Sequence, residues 1–184
     1  MFENREYISV SDDNCRNMLS SSIKKYMNKK LDTNNEIVVF CIGTDRATGD
    51  SLGPLVGTML KRMGISNVMG TIDRPVHAVN IEDKINQLYT DYNKPVVLAI
   101  DACLGIYNHI GSLSIWEGAL SPGAGISKKL RDVGDISITG IVNKWSNNGI
   151  MQLQSTRLSI VMNMAEVIAG GIYDALKDIE NYYN

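Results

Sequence analysis

Asp50 and Asp101 are the residues of this sequence whose type and setting best suit acid–base chemistry. Asp50 lies in a polar, glycine-rich turn, GTDRATGDSLGP over residues 43–54, and Asp101 directly follows the apolar run VVLAI of residues 96–100. Two carboxyl groups held close cannot both ionise cheaply, so they share a proton. The charged one can deprotonate a water while the protonated one hydrogen-bonds a carbonyl oxygen, and the two titrate as a unit that assigns neither role in advance. Each acid also has a plainer use. Asp50 precedes a helical pattern and can cap it; Asp101 can accept bonds from loop amides at a strand end; Asp45, in the same turn, can pair with Arg46 or close the turn.

Other chemistries lack their residues. The turn has no Lys and the wrong spacing for a phosphate-cradling loop, and an acid stands where a phosphate would sit. There is no GxGxxG, GxSxG or HExxH pattern. The two histidines, His77 and His109, are too few for a histidine-rich metal site and read as structural or surface residues. A Cys103/His109 dyad is a further candidate, although a strand-end cysteine usually behaves as a small buried hydrophobe. The nine methionines fall mainly on helical stripes and read as core filler. A divalent-metal site would have to draw on Asp45, Asp50 and Asp101.

The elements that would position these residues follow from periodicity. Residues 37–42 and 96–100 are continuously apolar, as strands buried on both faces are. Helical spacing predicts helices over residues 14–29, 51–63, 80–92 and about 156–180. Shorter strands are expected at 68–72, around Leu113 and Ile115 as an edge or antiparallel strand, and at 136–142. Gly170 and Gly171 interrupt the last helix, and close packing against the sheet is their expected compensation. Buried strands alternating with amphipathic helices indicate an α/β fold, a three-layer, doubly wound, mostly parallel sheet with helices on both faces. Ligands of such sheets bind outside the carboxyl ends of the strands, which is where Asp50 and Asp101 would meet if their strands are neighbours.

Length and composition set the frame. The 184 residues suit one domain, 1–184, with 1–35 as a helical extension packed on it. Such a chain buries roughly two-thirds of its unfolded surface. A net charge of −2 argues against a nucleic-acid surface. Three dispersed cysteines suit a reducing compartment. The polar amino terminus is unlike a signal peptide, and no apolar run reaches the ~20 residues needed to span a bilayer. A cytoplasmic protein without membrane or nucleic-acid partners is expected.

Four segments carry a resemblance. Residues 41–57 (CIGTDRATGDSLGPLVG), 99–105 (AIDACLG), 121–130 (SPGAGISKKL) and 133–143 (VGDISITGIVN) look like the YyaC family of sporulation proteins. These are relatives of the germination protease of spore-forming bacteria, and both are similar in fold to the hydrogenase-maturation endopeptidases. The likeness runs from about residue 36 to the carboxyl terminus. It implies a phosphorylase/hydrolase-like fold, an aspartic-type peptidase with Asp50 and Asp101 as its catalytic acids, and a spore protein as substrate, in the mother cell or forespore. Asp45, Pro122, Gly123 and Lys128 are the implied substrate-binding residues, with Lys128 or Lys129 stabilising developing negative charge. The maturation endopeptidases bind nickel through two acids and a histidine in a Ser-Pro-His turn. Gly123 stands at that third position here, so no metal and no other cofactor is expected. The alternative is a non-catalytic relative that uses the same crevice to bind a peptide or protein partner during spore formation.

Overall fold

In the computed structural model, which describes residues 5–32, 34–123 and 130–183, the chain folds around one mixed, mostly parallel sheet. Among the described residues the strands are β1 (Glu6–Ser9), β2 (Glu36–Cys41), β3 (Val68–Met69), β4 (Pro95–Gly105), β5 (Ser112–Glu117) and β6 (Ile136–Lys144), ordered β1-β5-β6-β4-β2-β3. The central pairs β4–β6, β2–β4 and β2–β3 are parallel, and β5 runs antiparallel to both β6 and β1.

The apolar runs earn their central places by having both faces covered. Val39 and Cys41 point into one core with Leu98 and Ile100, while Val38 and Phe40 point into the other with Val97 and Ala99. The first core is closed by α1 (Cys15–Met27), α2 (Leu52–Arg62) and α5 (Leu158–Tyr183), through Leu19, Ile23, Val56, Leu60, Ile168 and Ile172. The second is closed by α3 (Ile81–Asp91), whose Ile81, Ile85 and Leu88 are wholly buried. Helices on both faces of a mostly parallel sheet make this the three-layer α/β architecture that the periodicity predicts.

Several local expectations are corrected. The amino-terminal segment contributes the edge strand β1 as well as a helix. Only Ile8 of its four residues is buried, so the strand has no periodic signal to read. Glu6 pins it to α1 by accepting from Lys25 Nζ at 2.7 Å and Tyr26 Oη at 2.8 Å. That makes β5 an interior strand. The strand expected at 68–72 shrinks to Val68–Met69, and residues 149–154 form a separate short helix, α4 (Gly149–Gln154). The glycine pair of α5 faces α1 instead of the sheet: a Cβ on Gly171 would lie 3.0 Å from the Leu19 side chain, and one on Gly170 2.8 Å from that of Arg16.

Candidate active site

β2 and β4 lie side by side, with Cys41 opposite Ile100, so the turn after β2 and the residue after Ile100 reach the same edge of the sheet. The chain leaves β2 for β3 across α2 on one face and returns through α3 on the other. The carboxyl ends of β2 and β4 therefore flank the switch point where the winding changes direction, the usual ligand crevice of such sheets. A cavity of about 690 Å³ opens there, and both Asp50 and Asp101 line it.

The turn reaches the crevice by a sharp reversal. Gly43 has φ +137°, a conformation that side chains rarely permit. The Thr44 amide then donates to both the carbonyl oxygen (3.1 Å) and Oδ2 (3.0 Å) of Asp50, closing the loop upon itself. Asp50 thus sits in a 3₁₀ turn, Gly49–Ser51, and makes no capping bond to α2, so the capping use does not hold. Asp101 is not at a strand end either, since β4 continues to Gly105 and pairs Asp101 with Thr139 of β6. Its Oδ1 accepts from the Ala102 amide at 2.8 Å.

Electrostatics couple the two acids. Part of Asp101 is open to the cavity, but protein surrounds it otherwise. Burial raises its carboxyl well above the usual range, the charge of Asp50 raises it further, and the Ala102 amide opposes both. Burial also raises Asp50, less strongly, because the Thr44 amide and the His77 imidazole pull the other way. Burial and the neighbouring charge raise Asp101 further than Asp50, so of the two Asp101 holds a proton the more readily.

This carries a linkage consequence. An acid raised in the native state stabilises it fully below the ordinary carboxylate value of 3.8, and that contribution is lost as pH rises through the native midpoint. Asp101→Asn removes the penalty and still accepts from the Ala102 amide. We expect Asp101→Asn to melt about 2–6 °C above the wild type at pH 8, with the gap closing near pH 4. Thermal melts across that range check it; a variant less stable at pH 8 contradicts it.

The remaining predicted residues divide. Pro122 and Gly123 line the cavity, and Lys128 and Lys129 lie outside the described residues. Asp45 is exposed and absent from the cavity wall, with its neighbour Arg46 on the wall instead. Among the described residues no three His, Cys, Asp or Glu side chains come together as a metal would need, and Gly123 offers no donor side chain. The donors present do not fit the nickel of the maturation endopeptidases. Cys103 lines the cavity, but burial raises its thiol, and His109 lies against the Tyr7 ring, with centroids 5.6 Å apart and planes tilted by 46°, away from the cavity wall. The dyad is not assembled.

Sequence reasoning missed three contributors to the wall. His77 enters from the segment between β3 and α3, while Trp145 and Ile150 enter from the end of β6 and from α4, both largely exposed. α4 is tied to β6, where Asn143 Nδ2 donates to the Gln152 carbonyl at 2.9 Å, and it abuts the Asp50 turn at Gly49, where a Cβ would lie 2.8 Å from Thr156 Oγ1 and 3.0 Å from the Leu153 side chain.

Comparison with known proteins agrees with this architecture. The fold matches the crystal structure of the [NiFe] hydrogenase maturation protease HycI from Thermococcus kodakarensis KOD1 with a TM-score of 0.52 at 20% identity, covering 82% of this chain and 98% of that one. The chain belongs to the DUF1256 family, described as proteins of unknown function, which it matches over residues 7–171. It is 48% identical over 174 residues to the uncharacterized protein YyaC of Bacillus subtilis (strain 168), covering 91% of this chain and 82% of that protein. Among the described residues no helix is long and apolar enough to cross a membrane.

Proposed function

We propose that the chain is an aspartic-type peptidase that cuts a spore protein in the cytoplasm of a sporulating cell. The observation that carries this reading is the pair of coupled carboxyl groups, Asp50 and Asp101, in one cavity at the switch point of the sheet. In the reaction Asp50 takes a proton from water as the oxygen attacks the scissile carbonyl carbon. Asp101 gives its proton to the carbonyl oxygen, whose negative charge would otherwise build up in a water-poor site. Collapse of the tetrahedral adduct returns that proton to Asp101, breaks the C–N bond, and passes the proton held by Asp50 to the leaving amine. Both acids end as they began.

A second reading has its own support. Val79, Trp145 and Ile150 leave 90, 67 and 52% of their surface in contact with solvent beside the cavity, an apolar rim that would hold a peptide without turnover. The two readings part on incubation of the purified protein with a proteome-derived peptide library and with a protein extract of spores, new amino termini being read by mass spectrometry. We expect new termini at a consistent sequence, undiminished by chelators. Absence of new termini from both substrates, with peptides retained on the protein, would replace the peptidase with the binding module.

A further inference from the structure

β4 is longer than the strand beside it. β2 ends at Cys41, opposite Ile100, and the last bond between the two is the Ile42 amide donating to the Ile100 carbonyl at 2.8 Å. The chain then turns back after Gly43 to close the Asp50 loop, and β4 runs on to Gly105 paired with β6 alone. Burial changes at the same place: residues 96–100 are buried, whereas Asp101 to Gly105 are all partly exposed. In a parallel ladder a residue directs its N–H and C=O to one side, and the next residue directs both to the other. Val97 and Gly105 face β6, their carbonyls accepting from the Asp135 amide at 2.8 Å and the Trp145 amide at 2.7 Å. Ile100 faces β2. By the same alternation Ala102 and Leu104 face the side that β2 has left. The Ala102 amide is taken by Oδ1 of Asp101. Among the described residues nothing bonds the Ala102 carbonyl or the Leu104 amide and carbonyl on that side.

This free edge opens into the cavity, which Ala102, Cys103 and Leu104 line next to Asp101. We propose that an extended peptide adds to β4 here as a further strand, in the place β2 gives up. Its backbone is gripped at Ala102 and Leu104, and one of its peptide bonds lies beside Asp50 and Asp101. Two acceptors and a donor spaced along a straight edge match the N–H and C=O groups of another strand, and match neither a folded surface nor a small molecule. The cavity also has a wall for each face of the added strand. Leu153 belongs to the first core, on the side to which Ala102 and Leu104 point, and Ala78 belongs to the second. Successive side chains of the peptide would therefore meet the two walls in turn. The substrate class is a flexible segment, a terminus or loop able to straighten, selected by its backbone first. For what is cut, this rests on the peptidase reading; the strand addition itself does not.

The test has two arms. Amide hydrogen exchange, read residue by residue in nitrogen-15 spectra, probes the edge itself. In the free protein the Leu104 amide should exchange at least about 10-fold faster than those of Cys103 and Gly105, which face β6. A pool of random-sequence decapeptides at about 1 mM, enough to fill a weak site, should slow Leu104 about 10-fold or more. The same pool methylated at every backbone nitrogen should not. Leu104 as slow as its neighbours in the free protein, no slowing by the pool, or equal slowing by the methylated pool overturns the proposal. The second arm uses library peptides cut by the wild type, with backbone amides replaced one at a time by esters. Rates should fall about 3- to 10-fold in kcat/KM at alternate positions on one side of the cut, the weight of one neutral hydrogen bond, and hold at the positions between. Losses at no position, or without that alternation, overturn it. A wild type that cleaves nothing sinks the peptidase reading alone, and the exchange rates still decide the strand addition.

Discussion

Asp50→Asn and Asp101→Asn should each lower peptide cleavage by about 10²–10⁴-fold while leaving the fold intact, the usual weight of one general acid or base. The reasons differ. Asparagine at 50 can still accept from the Thr44 amide but cannot take a proton from water. Asparagine at 101 keeps an acceptor for the Ala102 amide but cannot pass a proton to the carbonyl oxygen. The double variant should lose little more than either single one, because residues that act as a unit are strongly non-additive. Peptide cleavage rates beside thermal melts check this. A folded Asp50→Asn protein with normal turnover would contradict it.

The second large effect is expected at a residue that has no side chain of its own. Gly53 lies in the first turn of α2, and a Cβ there would lie 2.1 Å from the Ile42 carbonyl oxygen. That oxygen cannot withdraw, because Ile42 is held by the Ile100 carbonyl at 2.8 Å and by its bridge to Val76. Gly53→Ala must therefore push α2 off β2, at a cost of about 3 kcal/mol, the upper end for overpacked interiors. A chain of this size should then melt about 6–12 °C lower. The same displacement moves Asp50, three residues earlier, away from Asp101, so cleavage should fall even in the folded fraction. A melting temperature within about 2 °C of the wild type would show that the turn yields more easily than its bonds suggest.

What could be read in advance follows from where each residue gets its neighbours. β2 and β4 were legible because strands covered on both faces must be apolar at every position, and no surface segment imitates that. Asp50 and Asp101 followed, since the carboxyl edge of such a sheet is fixed by the fold class. β1 was not legible, because its place depends on Glu6 meeting Lys25 and Tyr26, contacts that leave no periodicity. His77 was hidden for a similar reason: an isolated histidine in an irregular segment reaches the cavity wall through a docking bond between Gly43 and Val76. Trp145 and Ile150 look like stray surface apolar residues until α4 is seen tied to β6 and set against the Asp50 turn. That Asp101 is raised further than Asp50 required the unequal burial and the Thr44 amide.

Carbon-13 titration of the side-chain carboxyls tests the central claim most directly. In the wild type, Asp101 should hold its proton well above the ordinary carboxylate range, and Asp50→Asn should bring that midpoint down without restoring it to the ordinary value, since burial remains. Two carboxyls that both titrate near 4, with Asp101 indifferent to Asp50→Asn, would mean that no proton is shared between them.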